Sequence, residues 1–178
     1  MQSLARFIYF KILGWKLVGS FPDLDKCIFI VVPHTSWVDF FFGTIDPSGL
    51  QRANQFHCKK SLFKFPFGWY FRWMGGAPID RSKNSDTVSA IAKIFNERKE
   101  FRLALSPEGT RKKVTQWKTG FYYIAKAANV PIVMVAFDYG KKEIKFSEPH
   151  FPTDNKEDDF KTYMSFFKGV VGKVPAYS

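Results

Sequence analysis

The feature that most constrains the fold is an apolar, β-branched run from Cys27 to Val32, which is followed by Pro33 and His34. Such a run predicts a buried strand. Proline lacks the N–H that the hydrogen-bond ladder of a sheet requires, so we expect the strand to stop before Pro33. His34 would then lie directly after the strand end, which is where α/β folds place the residues that carry chemistry.

An aspartate, Asp39, follows His34 by five residues. Thr35 or Ser36 can cap a helix that begins here, with Asp39 near its first turn. The Asp39 carboxylate can then hold the His34 imidazole in one tautomer and stabilise its charged form, while the other ring nitrogen accepts a substrate proton. This is half of a serine-protease triad, with the nucleophile left to the substrate. The same spacing also arises by chance in surface turns, so the pattern alone does not establish a reaction.

The composition limits the class of protein. The 178 residues are enough for one domain with a hydrophobic core, and a hydrophobic content of 46% excludes a disordered chain. The aromatic share is 19%, with 21 phenylalanines, so we expect some rings to lie at a surface that contacts a partner. The net charge of +11 predicts an anionic partner, which leaves nucleic acid, an acidic lipid surface and a phosphorylated substrate as alternatives.

Predicted strands and helices alternate along the chain. The predicted strands cover residues 27–32, 55–58, 101–105, 130–137 and 143–146, with a short strand inside 75–81, and the predicted helices cover residues 3–18, 85–99, 117–129 and 160–173. The acidic stretch 154–159 is expected to be a solvated helix start. The alternation predicts the fold class α/β, a single domain over residues 1–178 with a mixed, largely parallel sheet flanked by helices.

We expect no segment that crosses a membrane, because no stretch approaches the roughly 20 apolar residues that a spanning helix needs. The predicted helix within residues 1–20 is either an anchor on the membrane surface or a helix packed on the domain. The aromatic and basic segment 62–73 is a second candidate for membrane contact. Cys27 and Cys58 both fall in predicted strands, so buried free thiols in a reducing compartment are favoured over a disulfide. These features predict a cytoplasmic protein that associates peripherally with a membrane.

Polar side chains follow three predicted strand ends. They are His34 and Asp39, then Asp80 and Arg81, and finally Glu108, Gly109, Thr110 and Arg111. Adjacent strand ends would gather these groups into one pocket. Arginine forks match the oxygens of a phosphate. A base, its orienting carboxylate and two arginines therefore favour the removal of a proton from a hydroxyl group on a phosphorylated molecule.

Five blocks, in order, make the sequence resemble the glycerolipid acyltransferase family of the lysophosphatidic acid type. They are His34 to Asp39 for the His-x4-Asp motif, Gly76-Ala77-Pro78-Ile79-Asp80-Arg81, Pro107-Glu108-Gly109-Thr110-Arg111, Trp117-Lys118-Thr119-Gly120 for the Phe-Lys-x-Gly block, and Val130-Pro131-Ile132. The family's lysine after the second strand, followed by Pro-x-Gly, is similar to Lys60 with Pro66-Phe67-Gly68. Each block alone is weak, whereas five in family order across residues 34–132 are specific.

The resemblance implies an acyltransferase fold and a mechanism. His34 would remove the proton from a lysolipid hydroxyl while Asp39 orients it, and the resulting alkoxide would attack the thioester of acyl-CoA or acyl carrier protein. The implied substrate-binding residues are Lys60, Arg81, Glu108, Gly109, Thr110 and Arg111. The favoured reaction converts 1-acylglycerol-3-phosphate to phosphatidic acid, with another lysolipid or glycerol phosphate as the alternative acceptor. We expect no metal and no cofactor beyond the acyl donor, and the expected partners are the lysophospholipid, that donor and an anionic membrane surface.

Two other classes of protein would share some of these features. A nucleic-acid-binding or lipid-binding module without catalysis would explain the charge of +11 and the aromatic rings. It would leave Asp39, Asp80 and Glu108 unexplained near a cationic face. A metal hydrolase could use His34, Asp39 and His57, but a metal site needs three or four ligands and no further one has a recognisable spacing.

Overall fold

The computed structural model describes residues 7–36, 55–59, 77–79 and 84–177, with side chains for 10–36 and 87–177. Its strands are β1 (Lys16–Val18), β2 (Lys26–Val31), β3 (Gln55–Lys59), β4 (Ala77–Ile79), β5 (Phe101–Leu105), β6 (Ile132–Asp138) and β7 (Glu143–Phe146). They form one sheet in the order β1-β7-β6-β2-β5-β3-β4. Neighbouring strands are parallel except β6 and β7, which are antiparallel. The predicted mixed, largely parallel sheet is therefore confirmed.

The strand β2 lies at the centre of the sheet because its side chains are apolar on both faces. Residues 27–30 are fully buried. Ile30 lies opposite Leu105 of β5 on one side and Met134 of β6 on the other. The strand ends at Val31, before Pro33, as the missing N–H of proline predicts. The strands β3 and β5 also lie where the sequence places them.

The described helices are α1 (Asn84–Glu97), α2 (Gly120–Ala128) and α3 (Lys156–Phe167), with a π-helical turn at Phe7–Ile12 and a 3₁₀ turn at Pro175–Tyr177. The apolar face predicted for α1 is confirmed, since Ile91, Ala92 and Phe95 are buried. The Phe95 ring packs edge-on against Phe101 of β5, with ring centroids 4.5 Å apart. All three helices contribute to one core on one face of the sheet. On the other face Trp15 packs with β2, β6 and β7 side chains.

The prediction of a helix over residues 3–18 is wrong in its second half. The π-helical turn ends at Ile12, and residues 16–18 form β1, which pairs with β7. Gly14 has φ of +69°, a left-handed conformation that ends a helix readily. Trp15 is 6% exposed and packs edge-on against Tyr139, with ring centroids 5.0 Å apart. Burial of this indole draws the chain into the sheet, which outweighs the local helical pattern.

Both C-terminal helices differ from their predicted bounds. The helix α2 begins at Gly120 rather than at Trp117, because the Lys118 N–H donates to the Pro107 carbonyl at 2.8 Å and ties this segment to the loop after β5. The helix α3 begins earlier than predicted and ends at Phe167, before Lys173. The prediction that residues 154–159 are solvated is wrong for Asp159, which is 2% exposed and bonds to His150 at 2.9 Å.

Candidate active site

The described part of the site lies where β2 and β5 end. These strands are parallel neighbours, with Ile30 opposite Leu105. His34 follows Ile30 by four residues and Glu108 follows Leu105 by three, so both leave the sheet at the same edge. The strand β6 is parallel to β2 and also ends there, and we call this side of the sheet the carboxyl edge. The opposite side, where these strands begin, is the amino edge.

The Glu108 carboxylate contacts the backbone of the turn that carries His34. Glu108 is 9% exposed, and its Oε2 accepts a hydrogen bond from the His34 backbone N–H at 2.7 Å. The Ser106 hydroxyl donates to the same oxygen at 3.3 Å. A bond from a backbone N–H to a carboxylate is charge-assisted and stronger than a neutral one. Glu108 therefore fixes the backbone from which His34 projects, while its contact with a substrate stays a prediction.

The loop after β5 folds back on itself at Gly109. Gly109 has φ of +65°, and its N–H donates to the Ser106 carbonyl at 3.2 Å. A Cβ placed on Gly109 would lie 2.8 Å from Cε and Nζ of Lys118. The positive φ favours glycine at this position, and a side chain here would displace the end of the flexible Lys118 side chain. Lys118 is not among the predicted site residues, although it lies in residues 117–120, a block that contributes to the family resemblance.

Thr110 and Arg111 lie further out on the same loop, and both are exposed. The Thr110 Oγ1 accepts a hydrogen bond from the Lys112 N–H at 3.3 Å, which shapes the exposed turn. Within the described part of the chain, no hydrogen bond or ion pair to the Arg111 guanidinium is found. A guanidinium in this state is able to bind an anion that arrives from solvent.

The segment after α3 holds the other side of the His34 turn. Thr35 is 5% exposed, and its Oγ1 accepts a hydrogen bond from the Val174 N–H at 3.2 Å. A Cβ on Gly172 would lie 2.6 Å from the Thr35 Oγ1 and 3.0 Å from the Pro33 Cγ. This segment therefore passes over the turn at a distance that only glycine permits. No pattern in the sequence points to it, because the contact joins residues 139 positions apart.

Three of the predicted site residues, Asp39, Lys60 and Arg81, lie outside the described residues. Their side chains and roles stay predictions. The strands that precede two of them are described, with β3 ending at Lys59 and β4 at Ile79. Both strands run parallel to β5 in the sheet, so their ends lie at the carboxyl edge, where His34 and Glu108 also lie.

Other chemistries receive little support from the residues that the structure describes. Cys27 is fully buried, and burial raises the pKa of its thiol to about 12, although the Arg102 charge lowers that pKa. A neutral buried thiol is a poor nucleophile. Within the described ranges, no three His, Cys, Asp or Glu side chains are grouped so that they could hold a metal ion. The His57 side chain is not among those described.

Comparison with known proteins agrees with this architecture. The family model of the acyltransferases, described as Acyltransferase, matches residues 20–138. The 1-acyl-sn-glycerol-3-phosphate acyltransferase of Saccharomyces cerevisiae is 32% identical over 132 residues, which cover 69% of this chain and 42% of that protein. The enzyme of the same name from Escherichia coli is 34% identical over 98 residues, covering 52% of this chain and 40% of that one. The chain thus spans less than half the length of these two relatives.

A solved structure shares the fold. The crystal structure of the 1-acyl-sn-glycerophosphate (LPA) acyltransferase PlsC from Thermotoga maritima superposes with a TM-score of 0.61, covering 93% of this chain and 74% of that one at 24% sequence identity. This identity supports the fold alone. The family model covers well over half of the chain and includes both strand ends described above. The chain therefore belongs to the acyltransferase family.

Proposed function

We propose that this protein transfers a fatty acyl group from an acyl thioester to the hydroxyl of a lysophospholipid, with 1-acylglycerol-3-phosphate as the acceptor and phosphatidic acid as the product. The observation that carries the proposal is the bond from the His34 N–H to the Glu108 carboxylate, which joins two family motifs at one edge of the sheet. Relatives named 1-acyl-sn-glycerol-3-phosphate acyltransferase support the choice of acceptor.

His34 acts as the general base. It is half-buried, so solvent and a substrate can reach the turn that carries it. Its backbone is held by Glu108 on one side, and the backbone of the next residue is held through the Thr35 hydroxyl on the other. A base held in one position removes a proton more effectively than a mobile one. Asp39, five residues on, orients the imidazole in this proposal.

The acceptor phosphate binds at the loop after β5. Arg111 is exposed there, and Lys112 and Lys113 follow it. Arg81 supplies a second guanidinium in this proposal. The hydroxyl oxygen attacks the thioester carbonyl directly, so the enzyme needs no nucleophile of its own, which is consistent with the buried, neutral thiol of Cys27.

The direct test is to mix the purified protein with labelled acyl-CoA and lysophosphatidic acid, and to separate the lipids by thin-layer chromatography. Replacing His34 by Ala should lower kcat by about 10²–10⁴-fold, the usual contribution of a general base. A matched control is His150→Gln, because His150 also lies beside a carboxylate, Asp159, but at the amino edge. Wild-type-like turnover by a folded His34→Ala protein would remove His34 from the mechanism.

The same assay tests the phosphate site. Replacing Arg111 by Ala should raise the KM for lysophosphatidic acid by roughly tenfold, because a charge-assisted contact is lost. The KM for a monoacylglycerol, which has no phosphate, should change much less. The control is Arg98→Ala, which removes an exposed arginine that lies over the Phe101 ring near the amino edge. An equal loss with both acceptors would contradict the assignment of Arg111 to the phosphate.

The protein works at a membrane surface in this proposal, with the carboxyl edge toward the lipid. In the part of the chain that the structure describes, none of the helices combines the length and the apolar character needed to span a bilayer. The strand β7 is antiparallel to β6, and β1 is parallel to β7. Because β6 ends at the carboxyl edge, β7 and β1 both begin there. Just before β1, Ile12 and Leu13 are 64% and 39% exposed. Apolar side chains at this edge, next to lysines, suit the headgroup boundary.

The charges of the described residues favour the same orientation. The exposed cations at the carboxyl edge include Lys16, Arg111, Lys112, Lys113, Lys118, Lys141, Lys142 and Lys173. The carboxylates described there, Glu108, Asp138 and Glu143, are buried or half-buried, and Lys145 pairs with the last two. Acidic residues before β2 and β5 and at the start of α3 lie toward the amino edge. An anionic bilayer would therefore attract the edge that carries His34.

Sedimentation with lipid vesicles tests this orientation. The protein should bind anionic vesicles more tightly than neutral ones, and salt should weaken the binding because it screens the exposed lysines. The double variant Ile12→Ser/Leu13→Ser should bind less. The control is Phe151→Ser, because Phe151 is a large apolar side chain, 56% exposed, at the amino edge. If both variants lose vesicle binding to the same extent, the protein has no preferred edge. If the wild type does not bind anionic vesicles at low salt, the membrane proposal is wrong.

A further inference from the structure

An open groove of about 610 Å³ begins beside the His34 turn and lies against α3. Pro33, Glu108 and Val170 are among the residues that line it. Pro33 directly precedes His34, and Glu108 holds the His34 backbone, so the groove is continuous with the candidate active site. The outer wall comes from α3, which lies beyond the last of the family blocks. The acceptor site proposed above does not use the side of the groove that α3 forms.

The walls of the groove are apolar and held in place by packing. Trp117, Met164 and Phe167 line it. The Trp117 ring packs edge-on against Phe167, with ring centroids 5.6 Å apart, and Phe167 is 8% exposed. An open groove with apolar walls fits an organic chain better than a hydrated ion.

Three exposed lysines, Lys113, Lys161 and Lys168, also line the groove. Lys161 and Lys168 lie seven residues apart, which corresponds to about 10 Å along a helix axis. Lys161 bonds to Asp158 at 2.7 Å, but the two side chains are 74% and 61% exposed. Such a surface pair contributes little, so an anionic ligand can replace it. The groove thus combines apolar walls with positive charge along its length.

We propose that this groove binds the phosphopantetheine arm of the acyl donor, an inference that rests on the proposed acyl transfer. The reaction needs a second molecule at His34, and that molecule is an acyl thioester. Its arm is a thin chain with the thioester at one end and a phosphate at the other. The thioester lies at the His34 end of the groove, and the phosphate lies among the lysines, where charge-assisted contacts stabilise it.

The chemistry balances in this arrangement. The acceptor oxygen forms the new ester bond to the carbonyl carbon as the bond between that carbon and sulfur breaks. The proton that His34 takes from the hydroxyl passes to the departing thiolate. The free thiol then leaves along the groove. The same arm occurs in acyl-CoA and in acyl carrier protein, so the structure assigns the shared chemistry, and the experiment separates the two sources.

The experiment compares Lys161→Ala/Lys168→Ala with the wild type on three donors: acyl-CoA, acyl carrier protein and an acyl-pantetheine that lacks the phosphate. The double variant should raise the KM for phosphate-bearing donors by about tenfold, as expected for lost contacts to an anion. The KM for lysophosphatidic acid and the rate with acyl-pantetheine should not change. The matched control is Lys93→Ala, an exposed lysine of α1 that pairs with Glu97 as Lys161 pairs with Asp158.

A raised KM for lysophosphatidic acid instead of the donor would assign the groove to the acceptor and overturn the inference. An unchanged donor KM would overturn it as well. An increase confined to acyl-CoA or to acyl carrier protein would identify the donor. Calorimetric titration of CoA gives a readout without turnover: the double variant should bind CoA about tenfold more weakly, and equal binding would refute the groove. A wild type that binds CoA but transfers no acyl group would refute the proposed function alone.

Discussion

Replacing Glu108 separates two roles that this carboxylate can have. The sequence resemblance implies that Glu108 contacts the substrate. In the structure its Oε2 accepts hydrogen bonds from the His34 N–H at 2.7 Å and from the Ser106 hydroxyl at 3.3 Å. A residue that positions the base should affect kcat. A residue that binds the acceptor should affect the KM for that acceptor.

The expected magnitudes follow from these contacts. A hydrogen bond to a charged group contributes about 1.5–3 kcal/mol, and a neutral one about 0.5–1.5 kcal/mol. Replacing Glu108 by Gln keeps an acceptor oxygen near the His34 N–H and should lower the free energy of unfolding by about 1 kcal/mol. Replacing Glu108 by Ala removes the hydrogen-bond acceptor and should lower the free energy of unfolding by about 2 kcal/mol. A shift of the base by about 1 Å reduces catalysis by about 10²-fold, so kcat should fall by that factor in the Ala variant.

The assay combines urea unfolding with steady-state kinetics on lysophosphatidic acid. Glu108→Gln should retain more kcat than Glu108→Ala, and the KM for the acceptor should change little in either. The control is Glu148→Gln, which removes an exposed carboxylate after β7, at the amino edge. If Glu108→Ala keeps the wild-type kcat and raises only the acceptor KM, the positioning role is refuted and the substrate contact that the sequence predicts is correct.

Two further predictions concern contacts that hold the ends of α3. Gly172→Ala should lower both the free energy of unfolding, by about 1–3 kcal/mol, and kcat, because its Cβ would lie 2.6 Å from the Thr35 Oγ1. The control is Gly120→Ala, at the first residue of α2, which meets no atom within 4 Å and should not lower the free energy of unfolding. If the two variants unfold alike, the segment after α3 does not hold the turn. Asp159→Asn should cost about 2 kcal/mol in the free energy of unfolding at neutral pH. Burial raises the pKa of Asp159, but bonds from His150 and Thr153 outweigh it and hold that pKa below its ordinary value of 3.8. The stability from the Asp159 carboxylate is therefore present above its ordinary pKa of 3.8 and lost as the pH falls through the lower folded-state pKa, so the wild type and the variant should converge in acid unfolding curves. A difference in the free energy of unfolding that stays constant below pH 3.8 would refute the contribution of the Asp159 charge.

The strands of this fold could be predicted because burial and period were both visible in the sequence. The run at 27–32 is apolar at every position, and residues 101–105 are bounded by charges and a proline. The adjacency of His34 and Glu108 also followed from the sequence, since parallel strand ends meet at one edge. The N-terminal segment could not be predicted in the same way. Its apolar residues fit a helix locally, and only the pocket for Trp15 beside Tyr139 makes it enter the sheet.

The buried acid of α3 shows why a charge run can mislead. Residues 154–159 contain four acidic side chains, and most such runs are solvated. Asp159 is buried because His150 approaches it when the chain pairs back onto β6 at Ile132. That pairing is a long-range event with no local signal. The Thr153 N–H and hydroxyl complete the set of donors to the same carboxylate.

The motifs identify which groups do the chemistry, whereas the positions of those groups depend on residues outside the motifs. The His34 turn is held by Glu108 from one motif and by the Val174 N–H from a segment that carries no motif. The first contact is made to the His34 backbone and the second to the Thr35 hydroxyl, so neither of these two bonds involves the His34 imidazole. A substitution at residues 172–174 can therefore change catalysis while every motif is intact, and it would do so through kcat, because the turn moves and the acceptor site after β5 does not.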